Sequence, residues 1–311
     1  MNRRHFARNI ATALGATALG GNTVSARRRS LAARPAVTGR PGAEEGEAPG
    51  VPFKLSVMLW TVFNKLPFEE RLEKVAEAGY HNVELVGEYK GWSEDKFQNA
   101  VKKKRELGLT FDVTAGLGHG VADPKAREAF LSDLKAELPI MEKIECNAII
   151  VMSGNRVPGL AHEQMHQSCV EGLKRAAELV EGKNVRLLLE NIDPEENPKY
   201  FLTSVAEGFE IVREVNQPHV QFLCDFFHEQ IAEGNLIEKL KKNIDLVGLV
   251  HIADVPGRHE PGTGEINYAN IFKTLGELNY RHYAAMEYLP TYDAVTSLRT
   301  EREKALKAGR V

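Results

Sequence analysis

The chain lacks the charge surplus of a nucleic-acid binder. Its 311 residues carry 40 Lys and Arg against 43 Asp and Glu, a formal net charge of −3. That balance provides no basic field for a polyanion. Cysteine is scarce as well: Cys146, Cys169 and Cys224 are an odd count with no paired spacing. Such a set argues against a disulfide framework and for buried thiols. No apolar run reaches the roughly 20 residues that a membrane-spanning helix needs. There is no internal repeat and no sign of a second domain. Nor does a glycine-rich phosphate turn follow the first apolar strand, where the chain reads Leu59-Trp60-Thr61-Val62-Phe63. An open doubly wound sheet would usually place one there.

At the amino terminus, Met1-Asn2-Arg3-Arg4-His5-Phe6-Ala7-Arg8 is basic and carries a twin arginine. A weakly apolar Ala/Gly-rich run over residues 9–21 follows, then the small residues Val24-Ser25-Ala26. This resembles a bacterial twin-arginine signal over residues 1–26, which implies export of an already folded protein to the periplasm. Residues 27–50 are rich in Arg, Ala, Pro, Gly and Glu without periodicity, and are expected to form a flexible linker.

From Phe53 the pattern becomes regular. Strands are expected at residues 53–60, 82–86, 109–115, 147–152, 187–191, 220–225, 247–251 and 283–287. Helical periodicity fills the intervals at 67–79, 93–107, 124–144, 162–182, 204–216, 235–243 and 268–278. Residues 291–311 are charged and only loosely periodic, so the last helix is weakly marked. A composition 43% hydrophobic and 27% charged suits an α/β protein with a sizeable core. Eight strand–helix alternations over about 250 residues predict a single-domain α/β fold, a (β/α)8 TIM barrel over residues 51–311.

The stretch Leu187-Leu188-Leu189-Glu190-Asn191 organises the functional reading. A strand buried on both faces that ends in an acid puts that acid at the barrel edge where such folds keep their chemistry. The next three strands repeat the design, ending in Cys224-Asp225, Val250-His251 and Met286-Glu287, at spacings of 35, 26 and 36 residues. Ligands this far apart converge only if neighbouring strands present them around one pore. Glu190, Asp225, His251 and Glu287 form a mostly oxygen donor set that suits Mn²⁺, Mg²⁺ or Co²⁺. Zn²⁺, which more often draws further His or Cys, fits less well. Cys224 should point away from its neighbour Asp225.

Three segments carry a family resemblance. They are Leu189-Glu190-Asn191-Ile192 with Pro198-Lys199-Tyr200-Phe201-Leu202, then Asp225-Phe226-Phe227-His228-Glu229-Gln230, and the long run from His251-Ile252-Ala253-Asp254 through Arg258 to Tyr268. With them residues 53–290 resemble the hydroxypyruvate isomerase group of xylose-isomerase-like TIM barrels. The resemblance implies that Glu190, Asp225 and Glu287 bind a divalent metal, with His251 completing the set. It implies that Glu190 and Glu287 also serve as acid and base, and that His228 and Arg258 face the substrate. The chemistry agrees: isomerising an α-hydroxy carbonyl moves a proton between adjacent carbons through an enediolate, which two carboxylates can serve.

The expected partner is thus a small carbohydrate or keto acid, with no nucleic acid and no membrane span; a homo-oligomer is left open. A sugar 3-epimerase or an inosose-type dehydratase is the alternative enzyme, and a non-catalytic exported sugar-binding barrel the alternative outside catalysis. A repair endonuclease would need more histidines and a basic groove. Several neighbours receive plainer readings. Glu84 is expected to be a rim acid bonded to backbone, Glu265 to order the loop after strand seven, His259 to be solvent-exposed and His119 to lie near the pocket.

Overall fold

Eight parallel strands close into a barrel in the computed structural model, which describes residues 47–311. They are β1 (Lys54–Met58), β2 (Asn82–Val86), β3 (Thr110–Ala115), β4 (Ala148–Met152), β5 (Arg186–Glu190), β6 (Val220–Asp225), β7 (Val247–Ile252) and β8 (Tyr283–Met286). Each pairs with its successor, and β1 pairs back to β8. Around them lie α1 (Phe68–Glu77), α2 (Glu94–Glu106), α3 (Arg127–Ile144), α4 (His162–Leu179) and α5 (Val205–Val215). The ring is completed by α6 (Phe226–Ala232), α7 (Leu236–Asn243), α8 (Tyr268–Glu277) and α9 (Ala294–Ala308). The expected (β/α)8 barrel is therefore the fold.

Strand alternation sorts the core into two layers. Met58, Val113, Ala148, Ile150, Leu188, Leu223, Leu249 and Ala285 fill the barrel's interior. Leu187, Leu189, Phe222, Cys224, Val250, Ile252, Ala284 and Met286 turn outward and pack under the helices. Side chains two positions apart share a face. Each interior leucine or alanine on the last four strands is thus followed, two residues on, by Glu190, Asp225, His251 or Glu287. Strand β8 ends one residue before Glu287, yet the Glu287 amide still donates to the Ile252 carbonyl at 3.0 Å and prolongs the pairing.

Local chemistry explains the helix boundaries. Ser93 caps α2 by accepting from the Lys96 amide at 3.3 Å, and Ser204 caps α5 by accepting from Glu207 at 3.3 Å. Gly208 lets α5 press on β6: a Cβ there would sit 2.2 Å from the Phe222 ring. Three elements depart from the sequence expectation. Strand β1 stops at Met58 and gives way to a 3-10 turn over Leu59–Thr61. Helix α6 starts directly after Asp225, which caps it, so no loop announces it. Helix α9 is regular over 15 residues despite its loose periodicity, held by buried Val295, Leu298 and Ala305.

The signal over residues 1–26 and most of the linker over 27–50 lie outside the described residues. Residues 47–50 are described and tied to the barrel: the Glu47 carboxylate accepts from the Leu55 amide and pairs with Arg302, each at 3.3 Å. All three cysteines are buried and free. Among the described residues, no helix is long and apolar enough to cross a membrane.

Candidate active site

Glu190 ends β5, Asp225 ends β6, His251 is the penultimate residue of β7, and Glu287 follows β8. All four are buried, and one ligand-type atom of each lies within 4.8 Å of the others. His251 is their hub. Its Nδ1 is 2.8 Å from Glu287 Oε2, 3.7 Å from Glu190 Oε1 and 3.9 Å from Asp225 Oδ2. The 2.8 Å approach is not aligned as a hydrogen bond, and His251 Nδ1 is buried without a hydrogen-bond partner. Buried polar atoms are rarely left so. An unpartnered imidazole nitrogen facing three buried carboxylates fits a divalent cation with mostly oxygen ligands.

Asp225 serves two elements at once. Its Oδ1 accepts from the amides of Phe227 at 2.7 Å and His228 at 3.2 Å, capping α6, while Oδ2 faces the cluster. The cap fixes His228 in the first turn of α6, with its Nε2 3.4 Å from Asp225 Oδ2. The other ring nitrogen, Nδ1, bonds Asp193 Oδ2 at 2.5 Å. Asp193 uses its second oxygen to accept from the amides of Glu195 and Glu196 at 2.8 and 2.9 Å. One buried aspartate therefore joins the loop after β5 to α6.

Arg258 comes from the loop after β7 and is buried over the cluster. Its Nη2 is 2.8 Å from Glu287 Oε2 and 3.5 Å from Asp225 Oδ2, and its Nη1 is 2.9 Å from Glu196 Oε1. The guanidinium lies between the rings of Trp60 and Phe227, 5.7 and 4.8 Å from their centroids. A plain loop salt bridge would not be so enclosed. Trp60 also donates from Nε1 to Glu287 Oε1 at 3.0 Å.

The loop carrying Arg258 is organised by Asp254, not by Glu265 as expected. Buried Asp254 accepts from the amides of Val255 at 2.9 Å, Gly262 at 2.8 Å, Gly264 at 3.0 Å and Ile266 at 3.0 Å. Glu265 is exposed and accepts from Gln230 at 3.0 Å. Glu84 is not bonded to backbone either: its Oε2 lies 3.1 Å from His251 Nε2. His119 is exposed and pairs with Asp133 at 2.8 Å instead of joining the cluster. His259 is half-buried, its Nδ1 2.8 Å from the Leu289 carbonyl.

The electrostatics separate the two candidate acid/base groups. Burial pushes the Glu190 carboxyl up to about 8, with Glu287 and Asp225 adding to it against the pull of His251. Burial also acts upward on Glu287, but the charges of His251 and Arg258 outweigh it and hold that carboxyl well below the usual carboxylate range. For His228, burial favours the neutral ring, yet Asp225 and Asp193 prevail and raise it to about 9.

Sequence reading missed Asp193, Glu196, Trp60 and Asp254 as parts of this site. For Asp193 and Asp254 a signal was present: each follows a candidate ligand by three residues and precedes a turn rich in unpaired amides.

Comparison with known proteins places the site in context. The family described as xylose isomerase-like TIM barrel matches residues 72–309. The 2-oxo-tetronate isomerase of Haemophilus influenzae is 31% identical over 251 residues, covering 79% of this chain and 96% of that protein. The hydroxypyruvate isomerase of Escherichia coli is 29% identical over 250 residues, covering 79% and 97%. Among solved structures, one described as an AP endonuclease, family 2, from Brucella melitensis superposes with a TM-score of 0.73 at 28% identity, covering 79% of this chain and 96% of that one. A 3-keto-D-glucoside 4-epimerase from E. coli superposes at 0.69 with 21% identity, covering 82% and 99%, a likeness of fold alone.

Proposed function

The chain belongs to the xylose isomerase-like TIM barrel family and is an isomerase of the hydroxypyruvate isomerase type, and from that premise we propose that it is metal-dependent and acts on hydroxypyruvate or a related small keto acid or keto sugar. The observation that carries the reading is the convergence of Glu190, Asp225, His251 and Glu287 within 4.8 Å, with His251 Nδ1 left without a hydrogen-bond partner. Those four residues would hold Mn²⁺, Mg²⁺ or Co²⁺. Such an ion supplies Lewis-acid polarisation of a carbonyl when bound.

The proton is the business of the two glutamates. Two carboxylates brought to one pocket from different strands can take opposite roles in one transfer. Glu287, kept ionised by His251 and Arg258, can take a proton from carbon, and Glu190 can deliver one to the neighbouring carbon. They stand on strands β5 and β8, on different sides of the pocket. A proton taken from one carbon by Glu287 and one delivered to its neighbour by Glu190 complete the shift through an enediolate, and the glutamates regain their starting protonation by exchange with solvent. His228, oriented by Asp193, offers Nε2 to a substrate oxygen. Arg258, between Trp60 and Phe227, offers its fork to a carboxylate or hydroxyl and helps keep water out.

The test is a screen of small 2- and 3-keto acids and sugars with each of the three metals, followed by NMR for solvent deuterium. Isomerisation predicts deuterium at the carbon next to the carbonyl together with a changed carbonyl position. Deuterium with inverted stereochemistry but an unmoved carbonyl would replace the isomerase with an epimerase. Loss of water from the product would replace it with a dehydratase. No exchange with any substrate would leave a binding barrel.

A further inference from the structure

One acid in the barrel's interior is used by none of the roles above. Glu84 lies at the middle of β2, between outward-packed Val83 and Leu85, and is fully buried. It reaches across the barrel to a residue 167 positions later: its Oε2 is 3.1 Å from His251 Nε2. Its other oxygen, Oε1, has no partner. The adjacent polar groups in that layer, Ser56 and Asp112, are bonded to each other at 2.9 Å and do not compete for the ring.

A neutral imidazole has one N–H edge and one lone-pair edge, and the hydrogen bond at one edge sets the other. The Nδ1 edge of His251 faces the carboxylates of Glu287, Glu190 and Asp225. To serve as a ligand there it must present its lone pair. The hydrogen then sits on Nε2, and a buried N–H without an acceptor is costly. Glu84 is the acceptor within reach.

We infer that Glu84 is a positioning residue for His251. It holds Nε2–H toward β2, fixes the ring's orientation, and leaves Nδ1 open to a divalent cation. Partners of this kind around a metal-binding histidine change metal affinity without touching the metal. The inference rests on the metal reading proposed above.

The experiment titrates Mn²⁺ into the parent protein, Glu84→Gln and Glu84→Leu by calorimetry. It also records imidazole ¹⁵N shifts of histidine-labelled protein loaded with Mg²⁺. Glu84→Leu should weaken Mn²⁺ binding by roughly 10–100-fold. Glu84→Gln keeps a carbonyl acceptor and should stay near the parent. The parent's ¹⁵N shifts should place the His251 hydrogen on Nε2. Parent-like binding by Glu84→Leu overturns the inference. So does equal damage from both variants, which would mean that Glu84 acts by charge, and so does a hydrogen on Nδ1. If Glu84→Leu does not fold, the ¹⁵N shifts of the parent and of Glu84→Gln decide. A parent that binds none of the metals overturns the metal reading and this inference together, an outcome distinct from a parent that binds and a variant that binds equally.

Discussion

Replacing Glu287 by Gln separates a ligand from a proton carrier. The side chain keeps its size and one carbonyl oxygen, but it loses the charge and one acceptor. In the structure Oε1 accepts from Trp60 Nε1 at 3.0 Å, while Oε2 faces Arg258 Nη2 and His251 Nδ1, each at 2.8 Å. An amide cannot satisfy both sides. Turned with its oxygen to Trp60, it points an NH₂ at a guanidinium; turned the other way, it points an NH₂ at the indole N–H. One donor is left facing a donor, at about 1–3 kcal/mol. Losing a general acid–base group itself typically costs 10²–10⁴-fold in rate. We therefore expect kcat of Glu287→Gln to fall by at least roughly 10²-fold, equivalent to about 2.7 kcal/mol, and to stay low at saturating Mn²⁺. Asp225→Asn is the control. Its amide oxygen can keep the α6 cap made by Oδ1, so the loss falls on the oxygen facing the cluster. Activity there should fall in proportion to metal occupancy and partly return with excess Mn²⁺. The assay is turnover of the best screened substrate against metal concentration for both variants. Equal rescue would refute the reasoning, leaving Glu287 a ligand only.

Three further outcomes are expected. Asp254→Ala strips the acceptor from four loop amides and should lower unfolding free energy by on the order of 3 kcal/mol in denaturant titrations; an unchanged midpoint would show that the loop holds Arg258 by other means. Arg3→Lys with Arg4→Lys should keep the protein in the cytoplasm, because the twin arginine is the signal read by the export machinery; unchanged periplasmic yield on fractionation would reduce residues 1–26 to a tail. His166 lies between Glu207 at 3.1 Å and Glu214 at 3.3 Å; burial acts to lower its pKa, but these carboxylates outweigh that and raise it above 6.5. Its protonated form then stabilises the fold fully below pH 6.5, and the contribution is lost as pH rises through the raised value. Melting curves across that window should show a smaller decline for His166→Gln than for the parent; identical declines would remove His166 as the cause.

The barrel was legible because its strands are short continuous apolar runs, punctuated by helix caps such as Ser93 and Ser204. Glu190, Asp225, His251 and Glu287 stood out for the same reason: each interrupts such a run at its end. Glu84 interrupts one in the middle, between Val83 and Leu85, and that pattern matches an ordinary rim acid. Only the partner on β7 tells it apart, and no local window contains both. Helix α6 was hidden because Asp225 both ends a strand and caps a helix, leaving no turn residues between them. The loop after β7 misled differently. Glu265 and Asp254 are both acids in a glycine-bearing segment, and only the direction of four amides distinguishes the organiser from the bystander.

The two-residue offset between each interior apolar residue and the candidate ligand above it has a consequence for how this barrel tolerates change. Loops after the strands can lengthen or shorten at modest entropic cost. A single-residue insertion or deletion inside β5, β6, β7 or β8 cannot be absorbed in that way. An inserted residue would reverse the parity of everything downstream in that strand, turning the candidate ligand into the helix layer and Leu189, Cys224, Val250 or Met286 into the mouth. Diversification of this chain's chemistry is thus channelled into the loops, while strand length is held by the need to keep an even count below each candidate ligand.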